Sequence, residues 1–156
     1  RGKARIFQRD GRGGTVFLGE DWGAHTPPGD EMALFLGTAR DVVVKRTIEG
    51  NRRERVNGNL FRQTVTVKYE VENFKSESVR LTVIESPKVL RDRLAGNTGR
   101  APEWTLGEST TFPGGADEEK TTNDSITLHA ELPAANGGTA RKVIHRVELT
   151  FHNEWR

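Results

Sequence analysis

Thr64-Val65-Thr66-Val67-Lys68-Tyr69-Glu70-Val71-Glu72 sets an apolar residue at every second position, and after Asn73-Phe74-Lys75-Ser76-Glu77-Ser78 the pattern resumes as Val79-Arg80-Leu81-Thr82-Val83. A period of two buries one face of a strand and wets the other. Two such runs joined by a short polar linker predict an antiparallel hairpin.

Working outward, the same period recurs. Residues 3–8 and 15–19 read as strands about the turn Asp10-Gly11-Arg12-Gly13-Gly14. Met32, Leu34 and Leu36 alternate as a third strand after the breaker Thr26-Pro27-Pro28-Gly29-Asp30. Val42-Val43-Val44 opens a fourth, which fades through Thr47 and Ile48. Gly50-Asn51 and Asn57-Gly58 bracket a basic stretch, which places 52–56 near a hairpin tip or along an extended edge. Val89-Leu90 and Leu94 suit one short helical turn, cut off by Gly96, Gly99 and Pro102. Trp104-Thr105-Leu106 starts another strand, 113–124 is a polar loop, and two alternating runs follow through Leu132 and Phe151. Apolar positions at helical spacing never persist over three turns. The expectation is an all-β fold: an antiparallel β-sandwich, immunoglobulin-like in architecture, with little or no helix.

The 156 residues suit a single sandwich domain over 1–156, long enough to bury roughly 70% of the unfolded chain's surface without staples. There is no cysteine, which excludes disulfides and thiol catalysis. The 24 basic and 22 acidic side chains are interspersed, unlike the one-sided field of a nucleic-acid binder. No apolar run approaches the roughly 20 residues of a membrane helix. The chain opens at Arg1 and closes at Trp155-Arg156 directly after a strand, from which we expect an excised or processed part of a longer chain.

Phe17-Leu18-Gly19-Glu20-Asp21, His25-Thr26-Pro27-Pro28-Gly29-Asp30 and Leu36-Gly37-Thr38-Ala39-Arg40-Asp41-Val42 occur in that order, followed by Tyr69-Glu70-Val71-Glu72-Asn73-Phe74-Lys75 and the run 79–85. In order and spacing they resemble the C-terminal domain of the bacterial mucoidy-inhibitor-like (MuiA) proteins, a domain of unknown function. Its opening strand is similar to Gly2-Lys3-Ala4-Arg5-Ile6, and its tryptophan after the central runs to Trp104. Arg40 stands where that family usually has a bulky aromatic. The resemblance implies a bacterial cell-envelope or secreted protein, hence an extracytoplasmic location (periplasm, cell surface or outside), and no catalytic residues.

Each candidate for chemistry has a plainer explanation. His145 lies on the apolar face of the last strand, where a hydrogen-bonded core histidine is expected. Glu20, Asp21, His25 and Asp30 surround a proline turn without any metal-loop spacing, so turn chemistry is expected rather than a metal. Asp117-Glu118-Glu119 reads as a solvated, mobile loop. Gly11-Arg12-Gly13-Gly14 lacks the helix that a phosphate loop needs. No Gly-x-Ser-x-Gly turn and no singled-out carboxylate pair is present. No catalytic, cofactor-binding or metal residues are therefore assigned, no cofactor is expected, and the protein is read as a non-enzyme.

Trp104 is expected inside the core, and Trp22, in a loop between strands, at the surface. Arg52, Arg53 and Arg55 lack the interleaved aromatics that would stack on bases. Trp22, Arg52, Arg53 and Arg55 are the candidate interaction surface. The expected partners are other protein chains, further copies of this one among them. The expected role is protein-protein contact or assembly into a surface structure. The alternative is a carbohydrate-binding module for a cell-surface polysaccharide.

Overall fold

The computed structural model describes residues 2–9, 13–30, 32, 34–35, 37–96 and 99–155. The chain gathers into two compact units, Arg1–Arg40 and Asp41–Arg156.

The first unit is a two-stranded antiparallel hairpin of β1 (Gly2–Arg9) and β2 (Thr15–Gly23). Lys3 pairs with Trp22 across the ladder, and Phe7 meets Phe17 edge to face at 5.4 Å. The described part of its turn includes Gly13 and Gly14; Gly11 and Arg12 lie outside the described residues. The third strand expected through Met32, Leu34 and Leu36 is not formed by Met32 and Leu34, and Leu36 lies outside the described residues. That stretch is tied back irregularly instead. The Phe35 N–H donates to Asp21 Oδ2 at 2.7 Å, and the Met32 sulfur fills the space that bare Gly23 leaves, where a Cβ would come within 2.9 Å of it.

The second unit is sandwich-like. Strands β3 (Val42–Asn57), β4 (Leu60–Asn73), β6 (Glu103–Leu106) and β8 (Arg141–Trp155) form a four-stranded sheet in the order β3-β4-β8-β6. Strands β5 (Val79–Glu85) and β7 (Ile126–Leu132) form a second sheet. All the pairings are antiparallel. The alternation read from the sequence is what faces inward: Val65, Val67, Val71, Val147, Leu149 and Phe151 of one sheet share a core with Val83, Leu128 and Leu132 of the other. A short helix, α1 (Pro87–Ala95), adds Leu90 to this core. Ser86 caps it by accepting the Val89 N–H, and Pro87 sits in its first turn, where a missing N–H costs nothing.

The predicted hairpin between 64–72 and 79–83 is not formed. β4 pairs with β3 and β8, whereas β5 pairs with β7. Residues 73–78 arch from one sheet to the other. Both runs bury one face in the same core, and that requirement is met equally by neighbours in one sheet and by strands facing across two. The true hairpin joins β3 to β4 through the two-residue turn Gly58-Asn59, with Gly58 at φ +52°, the positive φ that such tight turns require.

The fourth strand does not fade at Ile48. It continues as β3 through a register shift between Ile48 and Gly50 to Asn57, so the basic stretch lies within the strand. Trp22 belongs to β2 rather than to a loop and is 65% exposed. Trp104 is half-buried against the core, its indole N–H donating to the Asn123 carbonyl at 3.0 Å. Among the described residues no helix is long and apolar enough to cross a membrane.

Candidate functional site

β3 is the long edge of the four-stranded sheet. Among the described residues its only strand neighbour is β4, which leaves the backbone donors and acceptors of its other side without a strand there. It carries five basic side chains (Lys45, Arg46, Arg52, Arg53, Arg55) against two acidic ones (Glu49, Glu54). Such charge guards an open edge against indiscriminate pairing. Val43 and Val44, nearly half exposed, leave the start of the strand apolar.

The three arginines do not form one patch. Strand alternation turns Arg52 to the outer face, level with Thr64, Thr150 and Thr105 of the other three strands. It turns Arg53 and Arg55 to the opposite face. Arg52 pairs with Glu54 at 3.2 Å, and Arg53 lies over the Phe61 ring at 5.4 Å. Trp22 is in the N-terminal unit, with Lys3 Nζ 5.6 Å from the centre of its ring.

On the outer face the edge strand is stitched to its neighbours by charge. Glu49 accepts a two-pronged bond from Arg146 at 2.6 and 3.1 Å, and Glu70 takes Lys142 at 2.9 Å with Lys68 and Lys45 nearby. The hydrogen bond from Arg146 holds the Glu49 carboxyl below the usual carboxylate range, and that from Lys142 does the same for Glu70. Against the core, Arg46 donates to both oxygens of Glu85, at 2.8 and 3.0 Å, and the Tyr69 hydroxyl donates to the same carboxylate. This triad joins β3 and β4 to β5, and burial above all pushes the Tyr69 phenol well above its ordinary value.

A second polar row was not legible as a site in the sequence. On the solvent face of β5–β7, Thr82 and His129 are cross-strand partners, 3.1 Å apart at Oγ1 and Nδ1. His129 Nε2 lies 2.9 Å from Asp117 Oδ2. With Nε2–H given to Asp117, the neutral ring offers Nδ1 to the Thr82 hydroxyl. The row lies on an open sheet face beside a shallow groove lined by Arg80, Pro113 and Glu131. Asp117 is thus not a freely solvated loop carboxylate: its N–H also bonds the Thr127 carbonyl, docking the loop on the free edge of β7.

Hydrogen bonding by His129, and then by the Lys120 N–H, holds the Asp117 carboxyl below its ordinary value. Its stabilising contribution is therefore complete above the ordinary carboxylate range and is lost as pH falls through the depressed value. Relative to the intrinsic rate at each pH, exchange protection of the Asp117 and Lys120 amides is expected to fall on acidification, and Asp117→Asn to remove that acid dependence. An unchanged acid profile in the variant would show that the contact contributes nothing.

His145 is buried as expected, with Nδ1 3.3 Å from the Thr111 carbonyl, its ring against Phe112 and, among the described residues, no partner for its Nε2. Glu20 pairs with Lys3 and Arg5, and Asp21 caps the Trp22 and Phe35 amides, which lower its pKa. Among the described residues no three or more His, Asp or Glu side chains converge as a metal site.

The chain matches no family model, no curated protein and no solved structure. The functional reading therefore stands on geometry.

Proposed function

We propose that this chain is a non-enzymatic β-sandwich module that engages another protein chain by strand addition along β3, in a bacterial cell-envelope or secreted protein of the kind its MuiA-like motifs suggest. The observation that carries the proposal is a sixteen-residue edge strand that, among the described residues, is paired on one side only. Strand addition takes its affinity from main-chain hydrogen bonds and its specificity from alternate side chains. The excess of basic side chains on β3 calls for an acidic partner strand. Two copies of β3 paired antiparallel in a register centred on the strand would set Arg46 against Arg53, like charges that repel, and Lys45 against Glu54, which attract.

The test is an amide NMR titration with a peptide of alternating Glu and Val. The expected result is shifts concentrated on 42–57 that weaken with added salt. Shifts that avoid β3, or none at all, would sink the reading. Val44→Ser, at a half-exposed position, is expected to leave the fold intact and weaken the peptide several-fold through the lost apolar contact.

The polysaccharide alternative rests on the exposure of Trp22. A Trp22→Ala variant that kept every glycan-induced change in tryptophan fluorescence would remove that residue from it.

A further inference from the structure

Near its end, β8 departs from alternation. Across from β4, Gln63 pairs with Phe151 but Phe61 pairs with Glu154, so β8 carries one residue more than its partner between these points. The extra residue is accommodated at Asn153, the one non-glycine residue with positive φ (53°) among those described. Without this bulge Glu154 would face solvent and Trp155 the interior, the arrangement that hydrophobicity favours. With it, Glu154 is 5% exposed and Trp155 is 59% exposed. A bulge that re-aims side chains against their burial preference is characteristic of functional sites.

What the bulge re-aims lines a cavity of about 90 Å³, with Arg100, Glu103 and His152 around it. At about 30 Å³ per water it holds about three waters, room for the hydroxyl edge of a sugar whose ring lies outside against Trp155. Among the described residues the Glu154 carboxylate meets only Arg91, at 3.6 Å, beyond hydrogen-bond length. The Arg91 guanidinium is 2% exposed and committed to the Arg100 carbonyl at 2.5 Å and Asp92 at 2.9 Å. Glu154 is therefore a buried acceptor whose remaining hydrogen bonds have to come from the cavity. Glu103, fixed by Asn153 Nδ2 at 2.5 Å, adds a second carboxylate. Two carboxylates repel a phosphate, and the Arg91 and Arg100 side chains repel a bare cation. Hydroxyl groups satisfy both signs at once, and the exposed indole of Trp155 offers the apolar face on which a ring can lie.

The geometry points to a binding site for one neutral pyranose ring, with Trp155 as platform and Glu154 and Glu103 as acceptors of its hydroxyls. The site is independent of strand addition at β3 and distinct from Trp22. The test uses the whole chain with glucose, galactose, mannose and N-acetylglucosamine, followed by tryptophan fluorescence and amide NMR. The expected result is a saturable response to at least one sugar, with shifts at 100–103 and 152–155. Trp155→Ala should weaken it about tenfold, and Trp22→Ala should leave it unchanged. Asn153→Gly keeps the left-handed backbone while releasing Glu103, and should weaken it roughly fivefold with no loss of stability. A flat response to all four sugars overturns the proposal. So does a response kept in full by both Trp155→Ala and Asn153→Gly.

Discussion

Glu85→Ala is expected to destabilise the fold by about 3 kcal/mol. Glu85 is 7% exposed and is the common acceptor for Arg46 on the edge strand and Tyr69 on its neighbour. Its loss leaves a phenol hydroxyl unpaired in the core and a guanidinium without its counter-charge. The Arg46 side chain is 30% exposed and can turn partly to water, which keeps the cost at the lower end for a broken buried pair. Tyr69→Phe removes one hydrogen bond and should cost about 1 kcal/mol.

The triad also sets an alkaline limit. Burial raises the Tyr69 pKa, with Glu85 adding to the effect. The contribution is fully present below the ordinary tyrosine value of about 10 and is lost as pH rises through the higher folded value. Urea midpoints measured from neutral pH to above 10 check both statements. A Glu85→Ala midpoint equal to the parent's, or a Tyr69→Phe variant with the parent's alkaline decline, would show that the triad does not join the sheets energetically.

Asn73→Ala is expected to cost a similar amount, about 3 kcal/mol. Asn73 is fully buried where β4 leaves its sheet. Its amide group donates to the carbonyls of Glu77 and Pro133, at 3.0 and 2.9 Å, and its oxygen accepts the Lys75 N–H at 3.0 Å. Alanine leaves two backbone groups of the arch and the Pro133 carbonyl without this partner. Asn73→Asp keeps the acceptor but turns a carboxylate toward two carbonyls, so it should be no better than alanine. Equilibrium unfolding checks both. Were 73–78 a plain hairpin turn, the aspartate variant would cost little, since either side chain suits a turn.

The β3 edge was half legible. Asn57-Gly58 announced the hairpin that ends the strand, and the charge of the basic stretch announced an edge. That Arg52 faces away from Arg53 and Arg55 followed from the period once the stretch was known to be strand. Gly50 and Asn51 obscured this, because they read as turn residues whereas the structure uses Gly50 at a register shift within a continuous strand. The Thr82–His129–Asp117 row and the Arg46–Tyr69–Glu85 triad were not legible, because each joins strands distant in the chain through side chains that are individually ordinary. The β8 bulge was hidden too. Asn153 is a weak marker of a left-handed backbone, and only the partner strand reveals the extra residue.

The sequence by itself determined that the chain is β-rich, that its sheets are antiparallel with one apolar face each, and that Val65, Val67, Val147 and Leu149 belong to the core. These follow from a period of two, which is a local property. Tertiary structure alone decided which runs are neighbours in a sheet and which face one another across it. Burial constrains the direction of a side chain and not the identity of the strand beside it, and here the deciding contacts were the three hydrogen bonds of Asn73 and the long-range registry of β4 with β8.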